Sequence, residues 1–414
     1  MKNVFKLCLI ACIGVLFTYC DNDDPVIDPV ETKSTVKIKV APAESADFEI
    51  DNLEGMEVKF TDTRTQNAYI AVLDASGSAE YKIDRGSYHV SIDKEDEEDG
   101  LQVIYSSRLE SYSISEDTQD LSLALNKWKE EPETEEVRFI FSEIFFNGER
   151  NSGIMMHPDQ YFVIFNPTKK DLYMDGLSVG VTYHVSWWDK YPWYDTYYPN
   201  NVPVRGFVTI PGSGNENLLK AGEHCVVAFT AIDHSAVEGY DQAVDLSGAD
   251  FEIYYGPEAN DVDNPNVPNL LITEDFWFQP RGYVAPLMFK LENGLESTVE
   301  KFYEENFKVH QRTFINDEGK EETEENRFVV VPTEIILDGV QTSDVPQDIK
   351  TRTIPETVDR GKFLVSGCHS QELAIRKQIM IAGQVHYQDT NNSTEDFILQ
   401  VGQNSFPIGW RDKK

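Results

Sequence analysis

Cysteine is scarce in this chain of 414 residues, and it is unevenly placed. Cys8, Cys12 and Cys20 fall within the opening segment, so only Cys225 and Cys368 belong to the body of the protein. A framework of several disulfides is therefore excluded, and two thiols allow one bridge at most. Positive charge is also short, with 36 Lys and Arg against 72 Asp and Glu and a net charge of −36. Such a chain repels polyphosphates, so nucleic acid is not an expected partner. The same acidity keeps an exported protein in solution. No apolar run reaches the roughly 20 residues that a membrane-spanning helix needs. Catalytic signatures are missing too: there is no G-x-S-x-G elbow, no H-E-x-x-H, no P-loop and no C-x-x-C. No repeat of solenoid or propeller period is present. These absences point away from an enzyme.

What is present is enough for a large core, since hydrophobic residues make up 40% and aromatics 12%. The length allows two or three domains. Lys2 and Lys6 precede an apolar run from Leu7 to Phe17, the pattern of an export signal. Phe17-Thr18-Tyr19-Cys20 resembles the lipobox of bacterial lipoproteins, with Phe17 and Tyr19 replacing the usual Leu and small residue. Such relaxed lipoboxes are familiar in Bacteroidota. The resemblance implies that residues 1–19 are removed and that Cys20 carries the acyl chains, more than one of which is needed for stable anchoring. The alternative is an ordinary secretory signal with a chance cysteine. Asp21-Asn22-Asp23-Asp24 resembles the surface-export signal of Bacteroidota lipoproteins, which implies the extracellular side of the outer membrane. Residues 20–33, rich in Asp, Pro and Thr, then form an acidic tether.

Beyond the tether the pattern becomes that of strands. Val36, Ile38 and Val40 alternate with Lys37 and Lys39, as in a half-buried strand. Further strands are expected at 56–60, 68–73 and 88–92, with turns at Asp74-Ala75-Ser76-Gly77 and Asp84-Arg85-Gly86. The acidic runs 93–99 and 318–325 read as solvated loops. The order strand, Asp74-Ala75-Ser76-Gly77, short strand, Arg85-Gly86-Ser87-Tyr88-His89-Val90 resembles the transthyretin-like, carboxypeptidase-regulatory β-sandwich, which implies a small Ig-like sandwich over 34–128. The charged stretch 129–136 reads as a linker.

From 137 to 414 a second domain is expected. Residues 139–146 are apolar at nearly every position, as in a strand buried on both faces. Strands at 159–166 and 172–177 follow, with turns at Asn166-Pro167-Thr168 and Asp175-Gly176. This series resembles the lamin tail domain, an immunoglobulin-like sandwich. Its late signals recur at Ile336-Leu337-Asp338-Gly339-Val340, at Arg376-Lys377, and in Asp389-Thr390-Asn391-Asn392-Ser393 with Asp396-Phe397. A long insertion at about 185–330 separates the two halves. The whole segment also resembles an uncharacterised family of Bacteroidota lipoproteins, through Ala231-Ile232-Asp233-His234, Asp245-Leu246-Ser247-Gly248 and Asp263-Asn264-Pro265-Asn266. Some genes of that family lie beside TonB-dependent transporters, which implies a role in nutrient uptake.

The most unusual stretch is 183–198, which holds Trp187, Trp188, Trp193, Tyr194, Tyr197 and Tyr198. Pro192 and the lack of alternation mark it as a loop. Its rings either pack as a flap over the sandwich or present a surface to sugars, flat chelates or a partner protein. His224-Cys225 and Cys368-His369 admit three readings: a disulfide between Cys225 and Cys368, two separate buried thiols, or zinc. Adjacent residues on a strand face opposite ways, which disfavours zinc. His184 and His234 read as structural. Asp261-Val262-Asp263-Asn264-Pro265-Asn266 offers oxygen ligands for calcium but lacks EF-hand spacing, so an Asx-rich turn is the favoured reading and no cofactor is expected. The sum is a mainly β, lipid-anchored surface protein that captures a small ligand or glycan, or docks on a TonB-dependent transporter. The rivals are an adhesion or scaffold module, and a hydrolase with its site in the insertion.

Overall fold

A computed structural model describes residues 33–43, 48–50, 52–98, 100–129, 137–149, 159–240, 243–315, 318–344, 349–381 and 384–401. The export signal, Cys20, the acidic cluster 21–24, the tether up to residue 32 and the linker positions 130–136 lie outside the described residues. The chain divides into two compact units, Met1–Glu130 and Glu131–Lys414. Both are built on β-sheets, as the patterning predicts. Among the described residues no helix is long and apolar enough to cross a membrane.

The N-terminal unit is one seven-stranded sheet. In spatial order its strands are Ala68–Val72, Glu57–Asp62, Gly86–Glu98, Leu101–Ile114, Thr118–Lys129, Lys33–Pro42 and Ser78–Asp84. Lys33–Pro42 runs parallel to Thr118–Lys129, and the other neighbours are antiparallel. Strand alternation sends Val36, Ile38 and Val40 inward to meet Val58, Phe60, Val90 and Leu123 in one core. The turn before Ser78–Asp84 is set by Asp74, whose Oδ1 accepts from the amides of Ser76 (2.8 Å) and Ser78 (2.9 Å). Gly77 takes φ +75° there, and a Cβ would stand 2.5 Å from the Val40 carbonyl oxygen.

Most of each acidic run is strand rather than loop. Gly86–Glu98 extends as a strand through the first run, paired to Leu101–Ile114 down to Glu98 opposite Leu101. The second run largely enters the strand Glu321–Pro332, paired with Phe307–Ile315. The reason is that ladder hydrogen bonds use backbone groups, which leaves acidic side chains free to stay in water. Counter-charges assist: Lys127 Nζ donates to Glu98 at 2.7 Å, and Arg312 stands 3.8 Å from Glu324.

The C-terminal unit is a sandwich. One sheet runs Phe251–Glu252, His224–Ala228, Tyr161–Phe165, Ile140–Phe145, Glu372–Arg376 and Phe397–Val401. The other runs Phe307–Ile315, Glu321–Pro332, Asn201–Thr209, Leu177–Thr182, Pro286–Lys290 and Ile336–Gly339, with Leu271–Thr273 also on Asn201–Thr209. Phe141, Ile144, Phe162 and Val227 from the first sheet meet Val179, Val181, Val208 and Met288 from the second. Every residue of Ile140–Phe145 is buried, as its unbroken apolar run predicts. The outer face of the second sheet is covered by Val299 and Phe302 of the helix Glu296–Asn306. The stretch read as an insertion supplies most of the second sheet, interleaved with Leu177–Thr182 and Ile336–Gly339.

Candidate functional site

The aromatic stretch leaves the second sheet at Tyr183, whose amide donates to Pro203 O at 2.8 Å. It makes one helical turn, Tyr194–Tyr197, and returns as the strand Asn201–Thr209. Half of it is a packed flap. Trp193 lies stacked on Phe328 with centroids 4.2 Å apart and on Tyr191 at 5.3 Å, and its Nε1 donates to Asn326 at 2.9 Å. Tyr194 is buried, and its hydroxyl donates to Arg352 O at 2.6 Å. The Tyr197 hydroxyl meets His310 Nε2 at 2.9 Å, and that of Tyr198 donates to Ile354 O at 3.2 Å. Four of the six expected contact residues are therefore engaged in holding the flap down. The sequence hid this because Phe328, Asn326 and His310 lie more than a hundred positions downstream.

Trp187 and Trp188 behave differently. The two residues are 41% and 42% exposed, with ring centroids 6.1 Å apart and planes tilted by 59°. Trp187 leans on Tyr283 at 5.6 Å, and Trp188 meets Tyr191 edge-on at 6.2 Å. The backbone beneath is pinned. Ser186 N donates to Tyr283 O at 2.9 Å, Thr351 N to Ser186 O at 3.0 Å, and the Thr351 hydroxyl to Trp188 O at 3.0 Å. The two indoles form a fixed ledge, bordered by the exposed pair Lys350–Asp189 at 3.6 Å.

The other candidates resolve into structure. His184 is buried against Tyr191 and Tyr194, and His234 Nδ1 sits 3.1 Å from Val244 O. In the acidic turn, Asp261 accepts from the Thr230 hydroxyl (3.0 Å) and from the amides of Tyr255 (2.8 Å) and Val262 (2.9 Å). Its oxygens close the turn through these donors. Among the described residues no group of three or more His, Cys, Asp or Glu could hold a metal ion. Cys225 and Cys368 are separate thiols, the first buried in the sandwich core and the second exposed. His224 Nε2 meets the Tyr387 hydroxyl at 2.8 Å, and His369 Nδ1 lies 2.9 Å from Gly148 O, so the two Cys-His pairs do not converge.

Sequence reasoning missed a buried charge network. Arg376, with 2% of its side chain exposed, donates from Nη2 to Asp338 at 2.6 Å and from Nη1 to Asp389 at 2.9 Å. Asp396 lies 3.7 Å away, Arg138 donates to Asp389 at 2.7 Å, and the guanidinium rides over the Phe397 ring at 4.6 Å. Asp338 also accepts the Phe141 amide at 2.7 Å, and Arg376 Nε donates to Phe141 O at 2.7 Å. The scattered late signals thus meet at one point that ties three strands together.

Burial pushes Asp338 up to about 7 against the pull of Arg376, and Asp396 up to about 6. Burial acts on Asp389 too, but Arg376 and Arg138 outweigh it and hold that carboxyl below its ordinary value. Elsewhere burial pushes Asp159 up to about 7, and lowers His184 and His234 to about 4. A carboxyl raised on folding contributes stability that is present at low pH and lost as pH rises through its folded value. A histidine lowered on folding costs stability only as pH falls from 6.5 toward 4. Burial also lowers Lys290 to about 8, so the window is set below that value: between about pH 7.5 and 6.5 the raised carboxyls dominate, and the melting temperature should rise on acidification. Calorimetry would show it, and Asp159→Asn should flatten the rise. A melting temperature that falls over this window would contradict the assignment.

Residues 220–404 match the family model described as protein of unknown function (DUF4876). The matched segment contains Asp338, Arg376, Asp389 and Asp396 and both strands beneath the flap, and stops short of the flap itself. No curated protein matches the chain. Among solved structures, a DUF4876 family protein from Bacteroides thetaiotaomicron is similar at 19% identity, with 89% of this chain and 95% of that one covered and a TM-score of 0.51. At that identity the likeness shows the fold alone. A DUF3823 family protein from Parabacteroides merdae aligns at 10% identity over 36% of this chain and 66% of its own, with a TM-score of 0.18, and carries no argument. The likeness to an uncharacterised Bacteroidota family, read from the motifs, is met at this level.

Proposed function

We propose that this protein is a lipid-anchored, non-enzymatic capture module on the outer face of the outer membrane, with Trp187 and Trp188 as its contact surface. The observation that carries the reading is the ledge. Two adjacent indoles stand in water on a pinned backbone, and aromatic residues of this kind dominate recognition surfaces. Anchoring at Cys20 and export signalled by Asp21-Asn22-Asp23-Asp24 support the address. The family resemblance to lipoproteins encoded beside TonB-dependent transporters supports hand-over to such a transporter. The buried carboxylates gathered at Arg376 are engaged by cations and backbone amides, which speaks for binding over hydrolysis.

The test is a pull-down from solubilised outer membranes, with the lipidated full chain as bait. A transporter should be recovered with the native protein, and recovery should fall roughly tenfold or more in Trp187→Ala/Trp188→Ala. Unchanged recovery in the folded variant would remove the ledge from the reading. Recovery of matrix or host glycoproteins in place of a transporter would favour adhesion.

A further inference from the structure

We infer that the ledge is one stretch of a longer aromatic track whose occupant is an extended, uncharged glycan. The inference rests on the capture reading of Trp187 and Trp188 and adds the chemical class of what is captured.

The track follows from strand periodicity. Arg312 and Phe314 share a face of Phe307–Ile315 with His310, because side chains two apart point the same way. His310 lies parallel to Phe328, 5.7 Å away, so this is the face that the flap covers. Toward the hairpin tip the flap stops. There Arg312, its side chain 42% exposed, lies over Tyr191 at 5.5 Å and over Phe314 at 5.1 Å. In the other direction Tyr191 leads to Trp188 at 6.2 Å, then Trp187 at 6.1 Å, then Tyr283 at 5.6 Å. Phe314, Arg312, Tyr191, Trp188, Trp187 and Tyr283 thus adjoin one another in sequence, with the buried Tyr191 as the base that joins the exposed Arg312 to the exposed indoles.

Three properties select the occupant. The two indoles and Arg312 are open to water, whereas a small ligand needs a concave site that buries most of it. Two exposed indoles beside one guanidinium are too few for the roughly 800 Å² per partner of a stable protein interface. The exposed aliphatic side chains of the same hairpin strand, Val309 and Ile315, alternate to its opposite face and so widen nothing. Finally, the net charge of −36 repels acidic polymers, while the exposed Asp189 and Glu324 carboxylates beside the track accept hydrogen bonds from hydroxyl groups. Flat C–H faces for stacking and hydroxyls at the rim are what a neutral polysaccharide supplies.

The experiment is affinity electrophoresis of the mature full chain in gels containing amylopectin, xylan, galactomannan or β-glucan, with polygalacturonate and alginate as acidic controls. At least one neutral polymer should retard the protein, and Trp187→Ala/Trp188→Ala should abolish the retardation. Arg312→Ala should weaken it roughly threefold. In a tryptophan-fluorescence titration with oligosaccharides of that polymer, affinity should rise roughly tenfold from the disaccharide to the hexasaccharide as more rings are covered. Retardation by acidic polymers only, by none, or equally in the Trp variant overturns the inference. If no glycan binds but transporter recovery still depends on Trp187 and Trp188, the glycan is wrong and the capture surface stands. If neither depends on them, both readings fail together.

Discussion

Replacing Arg376 with Met should destabilise the C-terminal unit by about 3–5 kcal/mol, the cost of leaving buried charge without its partner. The substitution keeps much of the apolar stem but leaves the buried Asp338 and Asp396, and the half-buried Asp389 beside them, without the guanidinium. It also removes the donors that serve Phe141 O and Gln388 O. Arg138 pairs with Asp389, so that carboxylate keeps a cation, while Asp338 loses the guanidinium that contacts it. A double-mutant cycle separates attraction from desolvation. Arg376→Met/Asp338→Asn should be less damaged than the two single variants predict in sum, because the Asn leaves less charge uncompensated. Chemical denaturation followed by far-UV signal is the measurement. A loss below about 1 kcal/mol in Arg376→Met would mean that the network adds little beyond packing.

The second large effect is expected from Trp193→Ala, at about 3–5 kcal/mol, in the range for truncating a buried aromatic. Trp193 is the centre of the flap. Its ring touches Phe328, Tyr191, His310 and Tyr197, and its Nε1 satisfies Asn326. The cavity would open beneath the flap, and Asn326 Oδ1 would lose its donor while buried. Trp187→Ala/Trp188→Ala should unfold at nearly the native denaturant midpoint, since both rings are already partly in water. The contrast divides one aromatic stretch into a structural half and a recognition half. Equal losses in the two variants would erase that division.

Much of the fold is legible in residue patterns. Val36, Ile38 and Val40 alternate because their strand has one wet face, and Ile140–Phe145 does not alternate because it has none. Asp74 and Gly77 announce a turn through their own local chemistry. The acidic runs mislead for a physical reason: charge states where a side chain wishes to be, while pairing is decided by the opposite strand. Glu321–Glu325 is strand because Ile315 back to Gln311 lies beside it.

The site is less legible. Pro192 marks a loop, but which rings it exposes is fixed by residues that pack from far along the chain, such as Phe328 and His310. The same holds for Arg376. A basic residue near the end of a strand looks like any surface cation until Asp338, Asp389 and Asp396 are brought round it. Burial of a charge is a property of the assembled unit, and a single sequence carries no direct sign of it.

The parallel pairing of Lys33–Pro42 with Thr118–Lys129 has a mechanical consequence. The chain enters the N-terminal unit at the start of the first of these strands and leaves it at the end of the last. A pull between those two points runs along the strands and in opposite directions. The ladder from Thr35 opposite Thr118 to Pro42 opposite Leu125 is then loaded in shear, with its hydrogen bonds sharing the force rather than parting one after another. Under such a load the N-terminal sheet resists being unravelled strand by strand.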